Sequence, residues 1–272
     1  MKTFIKIYED IVAKVKFFHK QLKLNKQEKS TGRPLSLSTI ETISLHLYKQ
    51  VNGIPTKKSI YRTFKPNCSY KTLVVNMNRV VAKSLLILVA IMKWNQKSAH
   101  PIKHVDSTDI PVCLNKNAKH HQTMRGLSEW GRNGKGFYYG LKLHIVTDLK
   151  RNLLSIAFSP GNCDDRRPVS KLIGNMTGIF SACADRVADA DYIGKLAYDM
   201  HIEGSRVFMA RAKRNMKKLM SEIQQKLYDT RMLIELNFRN LKMFYGLVTS
   251  LPRSIDGYLA NYVHSVLGYV LA

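Results

Sequence analysis

The sequence predicts an α/β chain in which a small all-α, helix-turn-helix-like module precedes a mixed sheet with flanking helices. Three observations carry that expectation. Periodicity changes at Pro101, from apolar residues spaced three and four apart to short alternating runs rich in β-branched and aromatic side chains. The runs after Pro101 read as three strands followed by alternating helix and strand, an order that builds one sheet with both parallel and antiparallel neighbours. Charge is uneven as well: residues 1–100 hold 19 Lys/Arg against 4 Asp/Glu, net +15, whereas residues 101–272 hold 25 against 15, net +10. The expected division is a helical basic module over 1–98 and an α/β domain over 99–272.

In the first part, Ile5 to Leu22 carries apolar residues at helical spacing. Ser38 is placed to cap a second helix, with Glu41 three residues on as its capping-box partner, and Gly53 and Pro55 stop that helix after Val51. A short helix follows over Lys57 to Phe64, then a Pro66-Asn67 turn, then one helix from Ser69 to Lys93. In the second part, His104 to Val112, Phe137 to Val146 and Leu153 to Phe158 predict an antiparallel meander. Pro168 to Phe180 reads as helix, Cys183 to Ala188 as a strand leading into Asp189, Ile193 to Met200 as helix and Ser205 to Ala210 as a last strand. A mostly helical tail runs from Met216.

The net charge of +25 and pI near 10 call for a polyanionic partner. A membrane surface fits poorly, because the longest apolar run, Leu85 to Met92, lies between Lys83 and Lys93 and is far shorter than the ~20 residues of a spanning helix. The start of the chain lacks the apolar core and cleavage site of a signal peptide. Cys68, Cys113, Cys163 and Cys183 are irregularly spaced, which favours buried thiols in a reducing compartment over a metal site or disulfides. The expected partner is therefore DNA or RNA and the expected location the cytoplasm. Short Lys/Arg-rich helices between tight turns suit either a reader of double-stranded DNA, with Arg33 on a Gly32-Arg33-Pro34 arm reaching a minor groove and Lys57, Lys58 and Arg62 on the helices, or an ordinary small helical bundle with a solvated basic face.

The most specific pattern comes late. Tyr228, Arg231, Glu235 and Lys242 fall at Y-x2-R-x3-E-x6-K, steps that share one face of a continuous helix and set a carboxylate between two cations and a phenol. Such a face can hold a divalent cation and phosphate oxygens; by charge pattern alone it can equally be a solvated, salt-bridged helix.

With Ile234, Phe238 and Leu241 around it, with Val105-Asp106-Ser107 in the first strand and with Ala188-Asp189-Ala190-Asp191-Tyr192-Ile193, this pattern resembles the DDE-type transposases of bacterial insertion sequences. The resemblance covers most of residues 101–272. It implies an RNase H-like catalytic domain in which Asp106, Asp189 and Glu235 form an acidic triad holding two Mg²⁺ ions, with Mn²⁺ able to substitute. It also implies an enzyme that binds terminal inverted repeats, hydrolyses phosphodiester bonds and joins 3′-hydroxyl ends to target DNA. Tyr228, Arg231 and Lys242 would contact DNA phosphate, and the protein would act as a homo-oligomer on DNA, associated with the bacterial nucleoid when bound. Where the family commonly has Asp-Lys-Gly-Tyr, this chain has Asp189-Ala190-Asp191-Tyr192, which leaves Asp191 as the rival ligand and a catalytically inactive DNA-binding remnant or repressor as the alternative function.

Strand alternation places Asp106 and Asp109 on opposite faces, so that one of them looks into the site. Asp164-Asp165 reads as an N-cap for the helix near Pro168, or else as a contributor to the site. The Gly-rich stretch Gly126 to Gly140 lacks a nucleotide-cradling motif and reads as a mobile hairpin loop against DNA backbone; His120-His121 reads as surface histidines; Lys213, Arg214, Lys217 and Lys218 are placed to track phosphates.

Overall fold

The computed structural model describes residues 4–27, 35–174, 176–182, 206–209 and 221–272. These form two compact units, one from Met1–Ile91 with Asn240–Ala272 and the other from Met92–Arg239. The expected cut near residue 98 is thus only half of the division, because the last 33 residues group with the first helices instead of with the sheet.

The helical unit contains α1 (Phe4–Gln21), α2 (Thr39–Val51), α3 (Lys57–Phe64), α4 (Tyr70–Arg79) and most of α5 (Val81–Lys97). Ser38 caps α2 as expected, its Oγ accepting the Glu41 N–H at 3.1 Å, and Gly53 leaves the helix with φ +61°. The single helix predicted from Ser69 to Lys93 is two: the chain breaks at Val80 and bends by 41°, because α4 packs against α2, α3 and the C-terminal helix. That C-terminal helix, Ile255–Leu271, is buried almost all round, with Tyr258, Tyr262, Val266 and Leu267 at its core, the pattern of a helix enclosed by others. On α2, His46 stacks on its His264 at 3.8 Å between ring centroids. His264 Nδ1 donates to the Ala260 carbonyl, which leaves Nε2 to accept from the Ser84 hydroxyl at 2.9 Å. No single described helix is long and apolar enough to cross a membrane.

The second unit is built on a six-stranded sheet: β1 (Ile102–Pro111), β2 (Glu129–Asn133), β3 (Gly136–Asp148), β4 (Leu153–Pro160), β5 (Gly178–Ala182) and β6 (Arg206–Met209). The principal strands run β4-β3-β1-β5-β6, with β3 antiparallel to its neighbours and β1, β5 and β6 parallel. That is the RNase H-like arrangement the resemblance implied. One face buries Val105, Val146, Leu154 and Phe180 against Val169, Leu172 and Ile173 of α6 (Val169–Ile173). The opposite alternation of β1 presents Asp106.

Two stretches differ from expectation. Gly126 to Gly140 is an ordered hairpin, β2 turning at Gly134-Lys135 into β3; β2 carries Glu129, Arg132 and Asn133 and so lacks a strand's apolar signature. The helix expected over Pro168 to Phe180 is one short turn-and-a-half, α6, after which Gly178 (φ +118°) opens β5. The strand expected over 183–188 and the helix expected over 193–200 lie outside the described residues. In the tail, α7 (Glu222–Asp229), α8 (Met232–Met243) and α9 (Ile255–Leu271) are separate helices. The described cysteines, Cys68, Cys113 and Cys163, are free thiols, half-buried instead of buried.

At Gly140 the edge of β3 passes from β2 to β4, and three backbones meet with no room for side chains. A Cβ at Gly140 would lie 2.1 Å from the Ile110 carbonyl oxygen, and one at Gly131 would lie 2.5 Å from that of Gly161. Gly140→Ala should therefore lower the free energy of urea unfolding by about 1–3 kcal/mol, while Gly134→Ala, with nothing within 4 Å, should change it by less than about 0.5 kcal/mol. Equal effects would show that the junction is not tightly packed.

The buried histidine pair predicts an acid sensitivity. Burial drives the His264 pKa down to about 3, and burial together with His264 drives His46 well below its ordinary value. An unfolded histidine titrates near 6.5, so below about pH 6.5 the unfolded chain binds protons that the folded one excludes, and stability falls as pH falls. Unfolding of the helical unit should become easier from pH about 6.5 to 5, above the carboxylate range. A His46→Gln, His264→Gln double variant should flatten that slope, and an unchanged slope would contradict buried neutral rings.

Candidate active site

Asp106 lies in β1 one residue past its described pairing with β5, which runs from Ile102↔Ile179 to Val105↔Ala182, the last residue described in β5. A cleft of about 360 Å³ lies there, lined by Asp106, Asp109, Lys142, Asp165, Arg231 and Glu235 among others. Ligand sites at the carboxyl ends of parallel strands follow the same geometry in open α/β sheets. Both Asp106 and Asp109 line the cleft, where alternation alone predicted that one would be turned away.

Asp106 is fixed at both oxygens: Oδ1 accepts the Ser107 N–H at 2.7 Å and Oδ2 accepts from Arg231 Nη1 at 3.0 Å. The other arm of the guanidinium, Nη2, donates to Glu235 Oε1 at 3.1 Å. Arg231 thus bridges the first and last acids predicted for the triad. Its side chain and that of Asp106 are 14% and 11% exposed, against 54% for Glu235, so the bridge is sheltered at one end and open at the other. The Tyr228 ring is buried beneath the guanidinium, 5.8 Å from Cζ to centroid.

The predicted single helical face does not exist as such. Arg231 is in the junction between α7 and α8, Tyr228 belongs to α7, and Glu235 and Lys242 to α8. Arg231 and Glu235 meet because the junction keeps helical i,i+4 proximity, with the Ile234 N–H donating to the Arg231 carbonyl at 3.0 Å. Lys242 lies in the segment that groups with the helical unit. α8 is oriented by Ile234 and Phe238, which are buried, and by Asn237, whose Oδ1 accepts from Arg151 Nε at 2.8 Å at the β3–β4 turn. Arg151 adopts φ +68° there.

Lys142 was not anticipated. Only 5% exposed, it donates to Asp165 Oδ1 at 2.8 Å and to the Cys163 carbonyl at 2.7 Å. A lysine inside the apolar run Leu141-Lys142-Leu143 was the available signal. Asp164 and Asp165 do not cap α6, whose cap residue is Pro168 with no side-chain bond. Asp164 instead accepts from the Arg166 N–H and guanidinium, which hold its carboxyl below the ordinary value, and Asp165 faces the cleft on Lys142. His104 and His144, one on each face of the sheet, are both buried and desolvated, with pKa values pushed down to about 4. Lys57 is half-buried, Lys58 and Arg62 are exposed on α3, and Asp189, Asp191, Arg33 and the 213–218 basic cluster lie outside the described residues.

The model of the transposase DDE domain family matches residues 96–255. The chain belongs to that family. Its match takes in the sheet, the cleft and the Tyr228-to-Lys242 segment of this transposase domain. No curated protein is significantly similar to the chain. Among solved structures, a pre-cleavage Mos1 transpososome is similar at 13% identity with a TM-score of 0.23, over 98% of this chain and 91% of that one.

The Arg231 bridge should carry measurable coupling. Arg231→Met leaves the Asp106 carboxylate without its guanidinium and should destabilise the fold by about 1–3 kcal/mol. Asp106→Asn should relieve part of that loss in a double-mutant cycle. The Lys226–Glu222 pair, 75% and 81% exposed, should show almost no coupling. A coupling at Arg231 as small as that of the exposed pair would remove the bridge from the account.

Proposed function

We propose that this transposase domain catalyses divalent-metal-dependent cutting of phosphodiester bonds at the ends of its element and joins the freed 3′-hydroxyl to target DNA, with Asp106, Asp189 and Glu235 as its acidic triad. The observation that carries the reading is the bridge itself: Arg231, 125 residues from Asp106 in sequence, gathers Asp106 and Glu235 at one cleft of a DDE transposase domain.

The donor set suits a hard cation. Among the described residues the cleft offers carboxylate oxygens and neither thiolate nor imidazole, which matches Mg²⁺, or Mn²⁺ in its place. Among the described residues no three potential ligands are gathered closely enough for a metal site, and the proposal assigns the third position to Asp189, with Asp191 as its rival. When bound, the metal ions supply Lewis acidity for the attacking water or 3′-hydroxyl and for the leaving oxygen.

The chain's own groups do the rest. Arg231, carried on the Tyr228 ring, is set to exchange a carboxylate for a phosphate oxygen through charge-assisted hydrogen bonds. Lys142 fixes Asp165 at the opposite wall, and Lys242 adds positive charge on the α8 helix. Residues 1–98, with Arg33, Lys57, Lys58 and Arg62, recognise the terminal inverted repeats, because specificity requires side chains at base edges while the cleft needs only phosphate. Two DNA ends handled together call for a homo-oligomer.

Glu235→Gln should abolish Mg²⁺-dependent nicking and strand transfer on a repeat-bearing duplex while leaving DNA affinity equal or slightly higher, since a negative charge near phosphate is lost. Gel-shift and cleavage assays on one preparation check this. Parallel loss of binding and cutting would point to misfolding, and metal-independent cutting would overturn the reading. Wild-type binding without cutting in Mg²⁺ or Mn²⁺ would favour the inactive remnant.

A further inference from the structure

We propose that the helical unit contains a nucleotide-phosphate site, a cavity walled by α2, α3, α4 and the start of α9 that takes the phosphate ester of a DNA strand or of a free nucleotide. The cavity measures about 480 Å³, within the roughly 300–1,000 Å³ of small-ligand sites. Lys49, Lys57, Lys58 and Arg253 line it, and among the described residues no carboxylate does. None of these four cations forms an ion pair among the described residues.

Lys49 is the member that a merely solvated basic surface does not explain. It is 6% exposed, and its ammonium has a neutral partner, Gln50 Oε1 at 2.9 Å. Gln50 is itself anchored, its Nε2 donating to Asn261 Oδ1 at 3.0 Å, so the lysine head is held at the cavity wall by a fixed amide. Lys57 Nζ donates to Asn78 Oδ1 at 2.6 Å on another wall. Burial pushes both amines down to about 8, and Lys57 is lowered further by the like charge of Lys49. Burying ammonium groups without a counter-ion is costly, and a bound anion removes that cost. Lys49 does sit in the last turn of α2, but the helix's partial negative end offsets only part of one charge.

Local dipoles act in the same sense. Thr56 and Ser254, the caps of α3 and α9, both line the cavity, so two helices begin at it with their positive ends. Asp256, in the first turn of α9, is not among the lining residues. Lys58 and Arg253 are exposed at the rim. Tyr70, 41% exposed, adds an aromatic face beside the cations, which suits a nucleotide better than a bare ion.

The inference rests on the transposase reading only in supplying DNA as a source of the phosphate, and binding is measured without cleavage. Calorimetry and thermal melting of the full chain at fixed ionic strength would use inorganic phosphate, dAMP, and one oligonucleotide with and without a 5′-phosphate. At least one probe should bind the wild type and raise its melting temperature. Lys49→Met, which keeps length and removes charge, should melt at the same or a higher temperature without ligand and bind about tenfold more weakly. Arg253→Gln at the rim, a surface change that leaves the core alone, should weaken binding several-fold and serves if the Lys49 variant does not fold. Binding of dAMP assigns a free-nucleotide source, and variant-sensitive binding confined to oligonucleotides assigns a DNA strand. No binding by any probe, or equal binding by wild type and both variants, overturns the site. Nicking measured in parallel separates the two proposals: a wild type that nicks DNA but binds none of the probes overturns this one alone, and a wild type that binds a probe, with the expected loss in both variants, but does not nick overturns the catalytic one alone.

Discussion

Two carboxylates brought to one cleft repel each other unless positive charge stands between them, and Arg231 is that charge. Its two nitrogens reach Asp106 and Glu235 at 3.0 and 3.1 Å, so a strand near the start of the sheet and a helix near its end are tied by one planar, bidentate group. Every other placement in the cleft serves that meeting. Asn237 on Arg151 sets the rotation of α8, and the Tyr228 ring supports the guanidinium from below. The sheltered end of the bridge lies where water competes least, which is where a charge-assisted bond is strongest.

Much of this was legible in the sequence because it follows short-range rules. The Ser38–Glu41 cap, the Lys57–Phe64 helix and the three meander strands obey spacing and capping chemistry that a linear reading sees directly. What escaped depends on neighbours distant in sequence. Val80 breaks a continuous helical pattern because α4 is held by α2, α3 and α9. Asp109 lines the cleft although alternation sets it on the face of β1 opposite Asp106. The polar β2 becomes a strand only because Gly131 and Gly140 let three backbones close up. Asp165 reads as a cap until Lys142, 23 residues earlier, is seen to hold it.

The charge distribution has a consequence for encounter. With a net charge of +25 the molecule draws polyanions from a distance, yet the cleft concentrates Asp106, Asp109, Asp165 and Glu235. Under the proposed function, a phosphodiester approaching the cleft would meet attraction from the molecule as a whole and repulsion at the last few ångströms. Groups that change partners, Arg231 foremost, are what can lower that final barrier, and the attraction is screened by salt far more than the local repulsion.

The return of the C-terminal helix to the first unit bears on how the chain is made. Its buried Tyr258, Tyr262, Val266 and Leu267 fill the core begun by α2, but a ribosome delivers them only after the intervening sheet unit. At ~5–20 residues per second, the interval between residue 91 and residue 255 lasts roughly 10–30 s. During it the contiguous sheet unit can complete itself while the N-terminal helices wait with an unfilled groove. The helices before residue 91 thus emerge well ahead of the helix that fills their core, and their apolar faces stay uncovered in the nascent chain over that interval.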